Sequence, residues 1–388
     1  MIETVHQAPG RFDLQFDDPP ESIKELTARA YAALIVTPAP ITHPERIAYS
    51  SLLSLASYVG IVRGRGDDRT SITGYGPAIL LTLARQTVSA TVTARPLYDG
   101  SNTSWIRNNV LRIGSSENNG LTVGTITSAA SPTKTGKTVA GQTPLEVLDA
   151  VARMFSVEWR VNPAGTLDVA AKATLYPTTT TPAAMVTPRG GGRDLNVKGL
   201  PAVDFSDVDD WDDWVSTVWC NDSSESFSGS STTGSPAYVN PYDASTLVAR
   251  KVVTSRTANT DTDCATIAAQ QLGRFDGVRR EVSLASDVYS ISDTVKAGDG
   301  VYAFDPDNDL YDLGNEVPYG GRLLRPIVLR VNAVRDACSS EKGYYLYSWN
   351  GSSQELHDLT PYVAFENPGV TLECGASRRL RPTTPTSV

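Results

Sequence analysis

Apolar and polar residues alternate along much of this chain, in short runs broken by glycine and proline. TVSATVTAR, residues 87–95, places valine or alanine at every second position, as a strand with one buried face requires. Tyr58, Ile61 and Val62 lie in a run that stops at GRGDD, residues 64–68, and RTSITGYG follows. Two such runs around a glycine turn predict a hairpin. Gly76-Pro77 then opens AILLTLA, long enough for one or two helical turns. Further strands are expected in VSTVWC, VRREVSLAS, GVYAF, RPIVLRVNAVRDA and GYYLYSW.

The period changes most clearly in TPLEVLDAVARMFSVEWRVNPAGTLDVA. Thr143 can cap a helix, Pro144 suits its first position, and Glu146 completes a capping box. Leu145, Leu148, Ala152 and Phe155 then fall on one face. After them Val157, Trp159 and Val161 alternate with Glu158 and Arg160, NPAG turns, and Leu167 and Val169 return. This predicts a helix over 143–155 packed on a hairpin over 157–170. DTDCATIAAQQLGRF predicts a second helix, with Asp261 as its cap.

Between these elements lie stretches that cannot build a core. TLYPTTTTPAAMVTPRGGGRD is rich in Thr, Pro and Gly and reads as a linker. NDSSESFSGSSTTGSP, residues 221–236, reads as a long mobile loop, and RRLRPTTPTSV as a tail.

Composition narrows the possibilities. At 388 residues the chain holds two to four domains. Hydrophobic residues at 40% and charged residues at 20% describe a globular protein. A net charge of −9 argues against gripping nucleic acid, because that affinity comes from Lys and Arg. Cys220, Cys264, Cys338 and Cys374 are scattered and form no CxxC pair, so neither a zinc set nor a disulfide framework is expected. MIETVHQAPG lacks the basic and apolar regions of a signal peptide. No apolar run approaches the roughly 18 residues of a membrane span. Synthesis in a cytoplasm is expected.

Several stretches resemble chemical motifs. DPDNDLYDLGNE, residues 305–316, sets Asp305, Asp307 and Asp309 at alternate positions with Glu316 twelfth, the carboxylate spacing of an EF-hand loop. That loop needs glycine sixth, where Leu310 stands, and helices on both sides, where strands are expected. The segment therefore reads as a turn between strands, with a bound cation as the alternative. KTGKT, residues 134–138, resembles the end of a P-loop, but Ser131 stands where the first glycine belongs. The RGD at 65–67 is explained by its glycines as a turn. His6, His43 and His357 show no metal spacing and read as surface or hydrogen-bonded histidines. DFSDVDDWDDW gathers Asp204, Asp207, Asp209, Asp210, Asp212 and Asp213 around Trp211 and Trp214. It reads either as a solvated loop or strand entry or as a partner contact, since aromatics amid charge mark interfaces. No catalytic, cofactor-binding or metal-ligating residue is assigned.

Three stretches in this order carry a resemblance. They are SYVGIVRGRGDDRTSITGYGPAILLTL, the helix-hairpin TPLEVLDAVARMFSVEWRVNPAGTLDV, and KAGDGVYAFDPDNDLYDLGNEVPYGGRLLRPIVLRV. Over about residues 45–350 the chain resembles the tail-hub, or baseplate-hub-like, minor tail proteins of long-tailed actinobacterial phages, the siphoviruses. The resemblance implies a mainly β, α+β protein with two tail-tube-like β-barrel domains and a small helix-hairpin α+β domain. Barrel I would be 1–95, the α+β insert 96–176, a linker 177–194, barrel II 195–350, and a C-terminal extension and tail 351–388. It implies a homotrimeric structural virion protein at the tail tip that adapts a six-fold tube or distal tail ring to a three-fold tip. Implied partners are the distal tail protein ring, other minor tail proteins, the tape measure protein, and genomic DNA passing through the channel without specific binding. No cofactor, enzymatic role or membrane insertion is implied, since no spike, lysozyme-like or peptidase domain is recognisable.

Two other classes stay open. Six tryptophans and sixteen tyrosines could stack sugars in a host-surface, carbohydrate-binding tail protein, although most alternate within strands and read as core. A tail-tip cell-wall hydrolase would need a carboxylate pair that no motif picks out. A secreted β-rich adhesin is disfavoured by the absent signal peptide.

Overall fold

The computed structural model describes the chain apart from residues 27–31, 67–69, 84–89, 92–104, 116–117, 127–137, 140–142, 156, 177–183, 188–197, 202–203, 211–214, 233–237, 240–245, 248–249, 256–257, 259, 276–277, 287–294, 305–311, 320–321, 350–353, 366–369 and 379–388. The fold is mainly β with a few short helices, as the alternation predicts.

The chain starts with a hairpin, Ile2–Val5 and Ala8–Gln15. Phe12 and Leu14 are buried while Arg11, Asp13 and Gln15 are exposed, the period of two that sets one face inward. Ala8–Gln15 also pairs with Ser71–Tyr75, which pairs with Tyr58–Arg65, which pairs with Ala32–Thr37. The Phe12 ring lies over two glycines of the neighbouring strands. A Cβ on Gly74 would come within 2.6 Å of that ring and 2.1 Å of the Ile61 carbonyl oxygen, and one on Gly60 within 2.4 Å of the ring.

The far end of the chain completes this sheet. Gly343–Trp349 pairs with Ala32–Thr37, and Gln354–Asp358 pairs with Gly343–Trp349. Val363 then bridges to Phe16, with the Ala364 amide donating to the Gln15 carbonyl at 2.8 Å. Ile2, Phe12, Leu14, Leu34, Leu346 and Val363 share one core. Behind the sheet, the helix Tyr49–Leu55 presents Leu52 to Ile35, Val59 and Tyr345.

One long strand, Ile327–Asp336, joins this half of the molecule to the next. Its last residues pair with Ile2–Val5 and its first with Gly300–Ala303, while Val370–Arg378 lies along its other edge. Val278–Ser286 pairs with Val370–Arg378, and Asp204–Asp210 with Val278–Ser286. Ala184–Thr187, inside the stretch that composition marks as a linker, is a strand between Lys198–Pro201 and Gly300–Ala303. Its four residues AMVT are apolar enough to pair, which the surrounding Thr and Pro conceal.

Two smaller units have three-stranded sheets of their own, separate from the large sheet. In the first, the helix Pro144–Phe155 has its predicted capping box. The Thr143 amide donates to Glu146 Oε2 at 2.8 Å, and the Glu146 amide to Thr143 Oγ1 at 3.3 Å. Glu158–Val161 and Thr166–Ala170 form the predicted hairpin, with Gly165 at φ +78° closing its turn. Thr122–Ile126 adds a third strand, parallel to Thr166–Ala170. Leu148, Ala152, Trp159, Leu167 and Val169 make the core, joined by Leu81 from the helix Leu80–Leu83. Each such side chain removed from water contributes roughly 1.5–3 kcal/mol.

The second unit corrects the mobile-loop expectation over 221–232, while 233–236 lie outside the described residues. Thr217–Asp222 and Ser228–Thr232 form a hairpin, with Arg250–Ser255 parallel on the other side of the first strand. The helix Asp261–Phe275 covers it, so closely that a Cβ on Gly229 would lie 2.3 Å from the Ala265 amide nitrogen. Ser223, Ser224 and Ser226 lie in the exposed turn of this hairpin, and Ser228, Ser230 and Ser231 in its second strand, where Gly229 meets the helix. Thr260 caps that helix by accepting the Asp263 amide at 3.1 Å. Asp261, expected as the cap, accepts the Ser228 amide at 2.9 Å and ties helix to hairpin.

Candidate functional site

Among the described residues the candidate motifs do not converge. Asp305, Asp307 and Asp309 lie outside the described residues, and Glu316 sits in the strand Asp312–Tyr319. The elements on either side, Gly300–Ala303 and Asp312–Tyr319, are strands rather than EF-hand helices. Asp204, Asp207, Asp209 and Asp210 belong to a strand, with Asp209 opposite Arg280 and Asp210 opposite Arg279. Trp211, Asp212, Asp213 and Trp214 lie outside the described residues, as do Lys134 to Lys137. Arg65 ends Tyr58–Arg65, the Gly66 amide donates to the Ser71 carbonyl at 3.1 Å, and Asp67 lies outside the described residues.

The three histidines occupy three places. His43 stands 3.3 Å from Glu45, and His357 stands 3.6 Å from Glu355. Among the described residues no group of three or more His, Cys, Asp or Glu could hold a metal ion. All four cysteines are buried and free of disulfides. Burial, reinforced by the Cys264 thiol, pushes Cys220 up to about 12, and burial pushes Cys374 up to about 12. Both are packing thiols rather than nucleophiles.

His6 is different, because it meets residues from two distant elements. It occupies the tight turn of the first hairpin, beside Gln7 at φ +52°, and its amide donates to the Asn332 carbonyl at 2.9 Å. Arg330 Nη2 lies 2.6 Å from His6 Nε2 and donates to Glu158 Oε2 at 2.5 Å. A guanidinium carries no acceptor, so in this contact Arg330 is the donor and the imidazole nitrogen the acceptor. The His6 ring meets Tyr176 edge-on at 5.2 Å, and Arg160 and Arg330 lie over the Tyr176 ring at 5.6 and 5.9 Å. Arg160 donates to Asp168 Oδ2 at 3.1 Å and to the Leu175 carbonyl at 2.9 Å. Asp168 also accepts the Thr125 amide at 2.7 Å and Asn162 Nδ2 at 2.7 Å. Gly298, at φ +101°, packs on Tyr176, where a Cβ would come within 2.4 Å of the ring.

This cluster ties the first hairpin, the helix-hairpin unit and the long strand together. Beside it is a cavity of about 240 Å³ between the first hairpin and Glu158–Val161, lined by Gly10, Tyr58, Pro77, Trp159, Arg160 and Lys296 among others. The cluster holds no activated nucleophile. Arg330 and Glu158 neutralise each other across a unit boundary, an arrangement suited to fixing orientation, while Arg160 and Asp168 pair within the helix-hairpin unit. Sequence reasoning read His6, like His43 and His357, as a surface or hydrogen-bonded histidine and named no partner for it. The sole local signal for Arg330 is a charge within the apolar run PIVLRVNAV.

No protein-family model matches the sequence, and no curated protein does. Solved structures do resemble the fold. A tail protein from Neisseria meningitidis MC58 superposes with a TM-score of 0.53 at 12% identity, over 97% of this chain and 90% of that one. The two chains share one fold. The 43 kDa tail protein of prophage MuSo2 from Shewanella oneidensis gives a TM-score of 0.49 at 10% identity, over 96% of this chain and 91% of that one. The prophage tail protein gp18 from Listeria monocytogenes EGD-e gives 0.46 at 10%, over 96% and 86%.

Proposed function

We propose that this chain is a structural subunit of a phage tail, and within the tail the homotrimeric hub at its distal tip. The fold shared with the Neisseria tail protein, nearly end to end, carries the proposal. The order of strand pair, helix-hairpin and late strands, which resembles tail hubs, supports the narrower form. In it the strands around Ala8–Gln15 form one tube-like barrel, and those around Ile327–Asp336 and Val278–Ser286 a second. The helix-hairpin unit stands between them. Three copies would then present six similar domains around a channel and match a six-fold ring to a three-fold tip.

Such a hub would contact the distal tail ring, other tip proteins and the tape measure protein. Genomic DNA would pass through without being held, since a protein of net charge −9 does not trap a polyanion. The work is assembly, and no catalytic step is proposed. Light scattering with averaged particle images tests this directly. The expected result is a three-fold particle with six similar densities around a channel. A stable monomer that also fails to join the distal tail ring would overturn the hub.

A further inference from the structure

We propose that the open face of the three-stranded sheet Thr217–Asp222, Ser228–Thr232 and Arg250–Ser255 binds a polysaccharide of uronic acids. This goes beyond the tail assignment and does not depend on it.

The sheet has two unlike faces. Val218, Cys220 and Val253 share a core with Cys264 and Ala268 of the helix Asp261–Phe275. The alternate positions face away from that helix, and among them Trp219 is 42% and Val252 is 65% exposed. These two are registered partners on adjacent strands, and Ser230 is the partner of Trp219 on its other side. Trp159, by contrast, is buried in the helix-hairpin core. In the next row along the strands, Ser228, Asn221 and Thr254 stand side by side, short polar side chains open to solvent. A pyranose has the matching layout, an apolar face of C–H groups with a rim of hydroxyls. Its C–H face lies on the indole, and its rim meets the Ser, Asn and Thr side chains.

Size separates such an occupant from a protein. Strands lie about 4.8 Å apart and same-face residues about 6.7 Å apart along each, so three strands by three rows span about 10 by 13 Å. A stable protein interface takes about 800 Å² from each partner, several times this patch. A short run of sugar rings covers it.

Charge selects the kind of sugar. In the row on the other side of Trp219, Arg250 is exposed and makes no ion pair among the described residues. No position on this face of the three strands is Asp or Glu, in a chain whose net charge is −9. Arg250 stands one strand and one row from Trp219, about 8 Å between Cα positions. A carboxylate on the ring stacked at Trp219, or on the next ring, therefore comes within reach of the guanidinium, which pairs with carboxylates through two parallel hydrogen bonds. Nucleic acid, another polyanion, requires more cations than this one.

The test is titration of the whole chain with oligomers of galacturonic and of glucuronic acid, read by calorimetry and by indole N–H signals in NMR spectra. The methyl-esterified oligomers are the uncharged counterparts, and Trp219→Ala and Arg250→Gln are the variants. Saturable binding of at least one acid is expected, with the Trp219 indole signal moving. Trp219→Ala should weaken it about ten-fold or more, as removing a stacking platform does. Arg250→Gln should weaken the acid about ten-fold, as losing a hydrogen bond to a charged group does, and leave the ester unchanged. Both side chains are exposed, so both variants should keep the parent's thermal midpoint, and weaker binding then reports on the face rather than the fold. Absence of saturable binding by either acid in the millimolar range would overturn the proposal. Undiminished binding by Trp219→Ala, or equal affinity for acid and ester, would do the same. Self-association of the parent that Trp219→Ala abolishes would overturn it as well, by giving the face to a second copy. Each of these outcomes stands whether or not the chain is a tail subunit.

Discussion

Arg330→Met is expected to cost about 2 kcal/mol, a value bracketed by known ion-pair energies. The substitution keeps most of the side chain's apolar length and removes the guanidinium that bridges His6 and Glu158. Hydrogen bonds to charged groups contribute roughly 1.5–3 kcal/mol, and Arg330 donates to the Glu158 carboxylate at 2.5 Å. A fully buried pair broken from one side loses about 3–5 kcal/mol, and an exposed pair about 0–1 kcal/mol. The side chains here are 26% and 15% exposed, so the effect belongs between those limits. A chain of several packed units need not unfold in one step. Amide exchange in Glu158–Val161 and Ile2–Val5 is therefore the better assay, because it reads local opening. A double-mutant cycle with Glu158→Gln should return a coupling of about 1–2 kcal/mol. If the two substitutions simply add, or if Arg330→Met changes exchange in the hairpin alone and not in Ile2–Val5, the cluster does not tie the units together.

Four further outcomes are expected. Thr143→Ala removes half of the capping box and should lower stability by about 1 kcal/mol, measured as a shift in urea midpoint that Thr143→Ser largely restores. Gly74→Ala forces a methyl against Phe12 and the Ile61 carbonyl, so a loss of about 1–3 kcal/mol is expected from overpacking, and a neutral thermal midpoint would count against the described register. Asp222 accepts hydrogen bonds from the Ser224 hydroxyl and from the Phe227 and Ser224 amides, which lower its carboxyl to about 2. Because the folded value lies below the unfolded one, this stabilisation is present above about pH 4 and lost as the pH falls towards 2; carboxyl NMR titration in the folded protein should find the depressed value, and Asp222→Asn should flatten the acid limb of a stability–pH curve. Asp305→Ala with Asp307→Ala should leave the thermal midpoint unchanged in calcium and in chelator, whereas a calcium-dependent rise in the parent that the double variant lacks would restore the cation site.

What was legible in the sequence was what neighbours in sequence decide. Thr143, Pro144 and Glu146 form their cap among themselves, and the turn at 162–165 is closed by its own Gly165. Strands with clean alternation, such as Glu158–Val161, were recognised for the same reason. The Ser228–Thr232 strand was not, because its order depends on a helix that begins thirty-three residues after Ser228 and presses Ala265 against Gly229. Composition records that a residue is polar and not what covers it. For Asp204–Asp210 the sequence left a loop, a strand entry or a partner contact open, since its register with Val278–Ser286 is made by a segment far along the chain. The junction of His6, Glu158 and Arg330 joins three separate stretches, and no local pattern marks any of them as partners.

The double-sided pairing of Ile327–Asp336 has a mechanical consequence. Hinged proteins bend where a few backbone torsions can turn without breaking anything. Here the connection between the two halves is itself a strand, held by Ile2–Val5 and Gly300–Ala303 on one edge and by Val370–Arg378 on the other. Rotating one half against the other would shear several ladder hydrogen bonds at once, each contributing roughly 1 kcal/mol. The chain should therefore carry load as a stiff beam, loaded in shear rather than peeled bond by bond. Any large movement it takes part in would then fall to its outer surfaces, while the chain itself keeps its shape.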